Sequence, residues 1–271
     1  MDKSSVGGVL LAITGILAGL LLEGGNLGQI LQPTAAMIVF GGTFGAVMLQ
    51  FPVSTVISAI RSLRLVMLTG EQRSDALIKQ LVAFANKARR EGVVSLDTEL
   101  QKIDDAFMRK TLMLAIDGTE PQELRKMMDF EIDHQAEHEE QIPAVFESAG
   151  GFAPTVGIIG AVLGLIQVMQ HLDNIDEVGK GIAVAFVATI YGVGAANILF
   201  LPIAGKLRIK MRAAQRVREM TLEGVISIVE GMNPRMLETK LLGFLPESER
   251  PAEGKERAPV PAPAGLEPES V

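Results

Sequence analysis

Residues Phe152–Gln170 read FAPTVGIIGAVLGLIQVMQ, nineteen residues without a single Asp, Glu, Lys or Arg. At about 1.5 Å of rise per residue, a helix of this length matches the hydrocarbon thickness of a bilayer. Three other stretches, Ser5–Leu22, Thr34–Pro52 and Gly181–Ala204, are equally free of charge. The four hold 80 of the 271 residues, where the chain's 21% charged content would place about 17 charges. A buried helix of a soluble protein keeps a polar face, and these four have none to speak of. The expectation is therefore an all-α polytopic membrane protein with four transmembrane helices.

The basic residues orient the spans. Twelve Lys and Arg lie between Val53 and Gly150, eleven follow Ile203, and the short loop from Glu23 to Pro33 has none. With Lys3 added, 24 of the 25 fall on one side of a four-span layout, with only Lys180 on the other. The positive-inside rule makes that side the cytoplasm, so both termini are expected there. The first span is longer than a signal-peptide core, and "LLLEGGNLGQ" offers no convincing cleavage site, so it counts as a span.

The chain then divides into residues 1–52 (two spans and a short outer loop), 53–150 (a helical cytoplasmic domain between the second and third spans), 151–204 (the third and fourth spans), 205–246 (a cytoplasmic C-terminal helix) and a tail. Within the domain, Val53–Leu68 is amphipathic and reads as a continuation of the second span. Ser74–Arg90, Asp97–Ile116 and Pro121–Gln141 read as further helices, punctuated by Gly92, the Asp117–Pro121 turn and Pro143. No strand alternation and no long internal repeat is visible. Glu247–Val271 is rich in Pro, Glu and Ala and has too few large apolar groups to fold, so a disordered tail is expected.

Composition narrows the chemistry. Without cysteine there is no disulfide, thiolate metal site or Cys nucleophile, and three scattered His leave little for metal catalysis. His134 and His138 sit four apart near Glu131 and Glu137, a permissible metal spacing, but no second motif supplies a further strong ligand and none is expected. Neither an enzyme nor a nucleic-acid partner is expected. Ion-conducting proteins usually carry an ionisable group at membrane depth, and these spans have only hydroxyls and amides, chiefly Thr14, Thr43, Thr155, Gln167, Thr189, Tyr191 and Asn197. If ions cross here, a partner must bring the carboxylate.

The third and fourth spans are rich in small residues: Gly157, Gly160 and Gly164 in one, Ala185, Ala188, Gly192, Gly194, Ala195 and Ala196 in the other. Small residues four apart let helices pack backbone to backbone. Tight packing between these two spans is the favoured reading, and a smooth surface cradling another subunit's helix is the alternative.

"APTVGIIGAVLGLIQVM", then "IAVAFVATIYGVGAANILFLPIAGKL", with "NKARREGVVSLDTEL" in the domain, closely resemble the flagellar stator A subunits of the MotA/PomA family over roughly residues 1–245. The resemblance implies a ring of five copies around two helices of a MotB-type B subunit that bears the membrane aspartate and a peptidoglycan-binding domain. Ion flow would turn the ring, whose cytoplasmic domain pushes the rotor's switch protein. On the same grounds, Pro154 and Thr155 at the outer side of the third span, Pro202 at the inner end of the fourth, and Thr189, which would face the partner's aspartate, belong to the ion-coupling part. Ala161 stands where sodium-driven relatives have threonine and proton-driven ones alanine. Because stripping a sodium ion of water takes extra oxygen ligands, a proton is the expected coupling ion, and no cofactor. Arg89 and Asp97 align with the family's rotor-facing arginine and glutamate, Asp97 being one methylene shorter, and Arg90 can stand in for Arg89. The alternatives are a sodium-driven stator, an ExbB/TolQ-like subunit, which would have three spans, and a passive membrane scaffold.

Overall fold

The computed structural model describes residues 2–67 and 74–247, and every regular element among them is helical. Helix α1 spans Lys3–Leu22, capped by Asp2, whose carboxylate accepts the Ser4 N–H at 3.1 Å. A 3-10 turn, Leu27–Ile30, closed by Asn26 and Gln29, leads into α2 (Pro33–Gln50) with proline in its first turn. These match the first two uncharged stretches. None of the apolar window of α1 is buried.

The expectation that residues 53–68 continue the second span needs correction. Phe51 is extended (φ −120°, ψ 144°), as a residue before proline prefers, and Pro52 starts a separate helix, α3 (Val53–Met67). Helix α4 (Ser74–Glu91) ends at Gly92, whose φ of +84° provides the left-handed stop. The single helix expected over Asp97–Ile116 is instead a 3-10 turn (Val93–Leu96), a short α5 (Asp97–Leu100) and α6 (Ala106–Ile116). Asp105 makes the break, because its carboxylate takes the Met108 N–H at 2.8 Å and so serves as a cap rather than an interior residue.

Helix α7 runs unbroken from Pro121 to Gln170, 50 residues or about 75 Å. Pro143, expected to punctuate, lies buried inside it. The hydrogen bond it removes is outweighed by Ile142, Val145 and Phe146, which pack with α3 and α9 around it. The fourth span likewise continues without interruption: α8 (Ile175–Gly194), a π-helical turn (Ala195–Phe200) and α9 (Leu201–Val229) make one 55-residue rod. The single C-terminal helix expected over 205–246 therefore begins inside this rod, stops at Val229, turns at Gly231 (φ +73°) and resumes as α10 (Pro234–Leu242). The expected disordered tail, beyond Glu247, lies outside the described residues.

Two antiparallel rods, α7 and α8–α9, thus carry both the membrane part and the helical domain. Leu81 of α4, Met108 and Leu112 of α6, Leu124 and Met128 of α7, Leu222 and Ile226 of α9 and Leu237 and Leu241 of α10 form the domain core. Ion pairs line the seam between the rods: Arg208 to Glu147 (2.6 Å) and Glu140 (2.7 Å), Arg218 to Glu139 (2.9 Å) and Arg125 to Glu223 (2.8 Å). The Arg208 hydrogen bonds hold the Glu147 carboxyl below its ordinary range. For Glu223 burial pushes upward, but hydrogen bonds from Lys240 and Arg125 outweigh it and its pKa is lowered.

A carboxylate lowered on folding stabilises fully above its unfolded pKa and loses that contribution as pH falls through its folded value. Glu223→Ala, which removes the carboxylate that Lys240 and Arg125 share, is expected to cost about 1 kcal/mol at neutral pH, read as a lower thermal midpoint. The gap to the parent chain should narrow on acidification; a pH-independent gap would assign the loss to packing instead.

Candidate functional site

The third and fourth spans meet along their glycines. A Cβ on Gly157 would lie 2.9 Å from the Ala188 carbonyl oxygen, and one on Gly164 2.7 Å from that of Gly181. On the facing helix, a Cβ on Gly192 would sit 2.5 Å from the Ala153 carbonyl oxygen and 3.1 Å from the Gly157 Cα. Opposing backbone leaves no room there for any side chain, so the favoured sequence reading holds for these residues. Gly160 faces Ala188 and Ile38 of α2, while Gly42 of α2 meets Val156, so the second span closes over the same pair. Gly151 and Gly194 differ: nothing lies near the Cβ each would carry.

This register places the predicted coupling residues. Gly160 lies against Ala188; the next residues, Ala161 and Thr189, step in opposite directions along the two antiparallel helices and so lie within about 3 Å of one depth, and both are half-buried. The Thr189 hydroxyl donates to the Ala185 carbonyl of its own helix at 3.2 Å, which is long for an O–H donor. Thr155 is exposed and donates to the Phe152 carbonyl at 2.8 Å. The exposed side of the pair carries Ile158, Val162, Leu165 and Met169 from α7 and Ile182, Phe186, Ile190 and Val193 from α8. That apolar face has hydroxyls and the exposed Asn197 amide as its polar groups, and Asn197 is turned back to the Val193 carbonyl at 2.9 Å.

Both prolines mark soft points. The outer-side placement expected for Pro154 and Thr155 needs correction: α7 enters the third span from the helical domain, so both lie at the domain end of that span, and Pro154, inside the helix, has no N–H for the Gly150 carbonyl one turn back. Gly150 is itself pressed against Leu201, 2.7 Å from the Cβ it would carry. Pro202 follows directly on the π-helical turn, whose extra residue moves the chain out of the path of the proline ring. The π turn was not read from the sequence; its one signal is the run GVGAAN, rich in small residues, five to ten residues ahead of that proline. Tyr191 also has a role the sequence did not reveal. Its hydroxyl donates to the Ile30 carbonyl at 2.5 Å and accepts the Gln32 N–H at 3.3 Å, tying α8 to the loop before α2.

In the helical domain, Arg89 and Arg90 close α4 and Asp97 opens α5, with the Gly92–Leu96 turn between them. All three are exposed, and none is in an ion pair among the described residues. The neighbours hold the turn. Lys87 reaches Glu99 at 2.8 Å and Thr98 at 3.0 Å, and Lys102 reaches Glu99 at 3.0 Å. Lys87 first, then Lys102, draws the Glu99 pKa downward. Lys87 and Glu99 were therefore the missed members of "NKARREGVVSLDTEL": they brace the turn that displays the other three. At the metal spacing, His134 stacks on Phe130 with rings 6.2 Å apart and 3° from parallel, and no group of three metal-ligating side chains occurs among the described residues.

Two family models cover most of the chain: residues 6–92 match the N-terminal part of motility protein A, and residues 99–220 the MotA/TolQ/ExbB proton channel family. Motility protein A of Bacillus subtilis is 36% identical over 251 residues, 92% of this chain and 93% of its own length. Among solved structures, the MotAB complex of C. jejuni matches with a TM-score of 0.87 at 31% identity, covering 94% of this chain and all of its counterpart. The flagellar MotAB stator complex of Bacillus subtilis matches at 0.85 with 36% identity, covering 92% and 98%. A four-span, all-helical chain with two membrane-to-domain rods, similar to these proteins over nearly its whole length, belongs to the motility protein A family of flagellar stator subunits.

Proposed function

We propose that this stator subunit couples inward proton flow to rotation as one of five copies ringed around a MotB-type B subunit in the bacterial inner membrane, with both termini cytoplasmic. The observation that carries this reading is an ion-coupling face without an ionisable side chain. The spans supply a half-buried hydroxyl at Thr189 and a smooth apolar surface beside it, and the charge-bearing group comes from the partner. A carboxylate at that depth draws the Thr189 hydroxyl from its long bond to Ala185, since a charge-assisted hydrogen bond is about twice as strong as a neutral one. Each proton crossing the membrane releases roughly 2.3 kcal/mol per 100 mV. The weakened turns at Pro154 and ahead of Pro202 give the helices somewhere to yield at each step.

Torque then passes down α7 and α9 to the helical domain, where Arg89, Arg90 and Asp97 face the rotor's switch protein. Exposed pairs are each worth about 0–1 kcal/mol, so contact there works by summed charge and tolerates single losses. Ala161 supports the proton as the coupling ion, because it adds no oxygen ligand at the depth of Thr189. An ExbB/TolQ-like role is disfavoured by the four spans and by the match of residues 6–92 to the motility protein N-terminus.

Three outcomes are expected. Thr189→Val should abolish most motility and proton flux while membrane assembly persists, and Thr189→Ser should restore both; unimpaired swimming of the valine variant would support a passive scaffold. Rotation should continue in sodium-free medium and stop with a protonophore, whereas dependence on external sodium would overturn the choice of ion. Arg89→Glu should lower torque, measured on tethered cells, with assembly and ion conduction intact; equal loss of assembly would make the residue structural.

A further inference from the structure

Helix α3 occupies an unusual place for a segment with an exposed apolar edge. Helices α1 and α2 run antiparallel and are joined by the short segment 23–32, so Lys3 and Gln50 lie on the same side of the bilayer. Helix α3 starts beside Gln50. Its far end returns to the start of α1, where the Met67 carbonyl accepts the Asp2 N–H at 2.9 Å. Lys206, just past the fourth uncharged stretch, holds the Asp2 carboxylate at 2.5 Å, and Lys210 donates to the Leu65 carbonyl. Hydrogen bonds from Lys206 and then Ser4 keep the Asp2 carboxyl far below the ordinary range. Between these ends, Ala59 and Val66 pack with Val145, Phe146 and Ala149 before the third span and with Ala204 and Leu207 after the fourth. Every attachment of α3 thus falls at the depth where a span begins or ends, so the helix lies along the membrane surface rather than extending away from it.

Its side chains fit that position. Val53, Ile57, Ile60, Arg64 and Met67 recur at spacings of four and three along one edge, and all five are exposed. Arg61 is exposed next to this edge; neither arginine is in an ion pair among the described residues. On the other flank, Ala59 and Val66 are buried against the rods. An apolar edge with Arg64 in its midst and Arg61 beside it, set apart from the flank buried on the rods, fits an interfacial helix, whose aliphatic groups enter the acyl boundary while its long cationic side chains reach the headgroups. The planar fork of arginine matches phosphate oxygens two at a time.

We propose that α3 lies in the headgroup layer of the bilayer and binds anionic phospholipid through Arg61 and Arg64. The lipid thereby tethers the belt that joins all four spans to the helical domain.

The test uses the assembled stator complex, purified in mild detergent, supplied with either phosphatidylglycerol or phosphatidylcholine, and weighed by native mass spectrometry. The parent complex should retain phosphatidylglycerol preferentially. The double variant Arg61→Gln/Arg64→Gln should lose at least about fivefold of that retention while keeping its assembled mass. Arg212→Gln/Arg216→Gln, which removes two exposed arginines further along α9, should change nothing. Unchanged retention in the α3 variant, or equal loss in the α9 variant, overturns the proposal. Depth is read separately: a spin label at Ile60→Cys in phosphatidylglycerol nanodiscs should relax faster with oxygen than with an aqueous nickel chelate, and the opposite order also overturns it.

Discussion

Backbone-to-backbone contact between α7 and α8 is the constraint on which the membrane part depends. Where Gly157 meets Gly192 and Gly164 meets Gly181, even a methyl group would collide with a carbonyl of the facing helix. Lipid tails are as apolar as leucine, so no hydrophobic gain drives these helices together. Close approach supplies dispersion contacts instead, and it fixes the axial register with little tolerance. That register brings Ala161 and Thr189 within about 3 Å of one depth and leaves the rest of both helices' apolar surface for other chains or for lipid.

The same two helices continue into the domain, and continuity has a mechanical consequence. A helix that ended at the membrane surface would hand its motion to a loop. Here α7 and α8–α9 are about 75 and 80 Å long, held together by glycine contacts at one end and by Arg208, Arg218 and Arg125 ion pairs towards the other. The weakened turns within the spans are those at Pro154 and ahead of Pro202, while the third, at Pro143, is braced by packing from α3 and α9. The two rods connect these turns to the helical domain, whose surface displays Arg89, Arg90 and Asp97.

Much of this was legible in the chain. Absence of charge over 80 residues specified four spans, because an ionised group has no partner in hydrocarbon and no water to replace one. The glycine spacing of the third and fourth spans announced their mutual packing for the same kind of reason: only small residues permit it. Helix ends with a local cause, such as the Gly92 stop or the Pro121 start, were also readable, since a positive φ or a missing N–H acts within a single turn.

What the sequence alone could not decide were features whose cause lies elsewhere in the chain. Pro143 reads as a stop, and it is overridden by packing from α3 and α9, more than 60 residues away in the case of α9. Thr189 carries a hydroxyl in any reading, but its depth relative to Ala161 is set by glycines on another helix. The belt position of α3 depends on Asp2, Lys206 and Lys210 reaching it from both ends of the chain. Local chemistry therefore determined which segments enter the membrane and where most helices begin and end. Only the tertiary structure decided which residues share a depth, because register and long-range ion pairs arise from helices meeting in space.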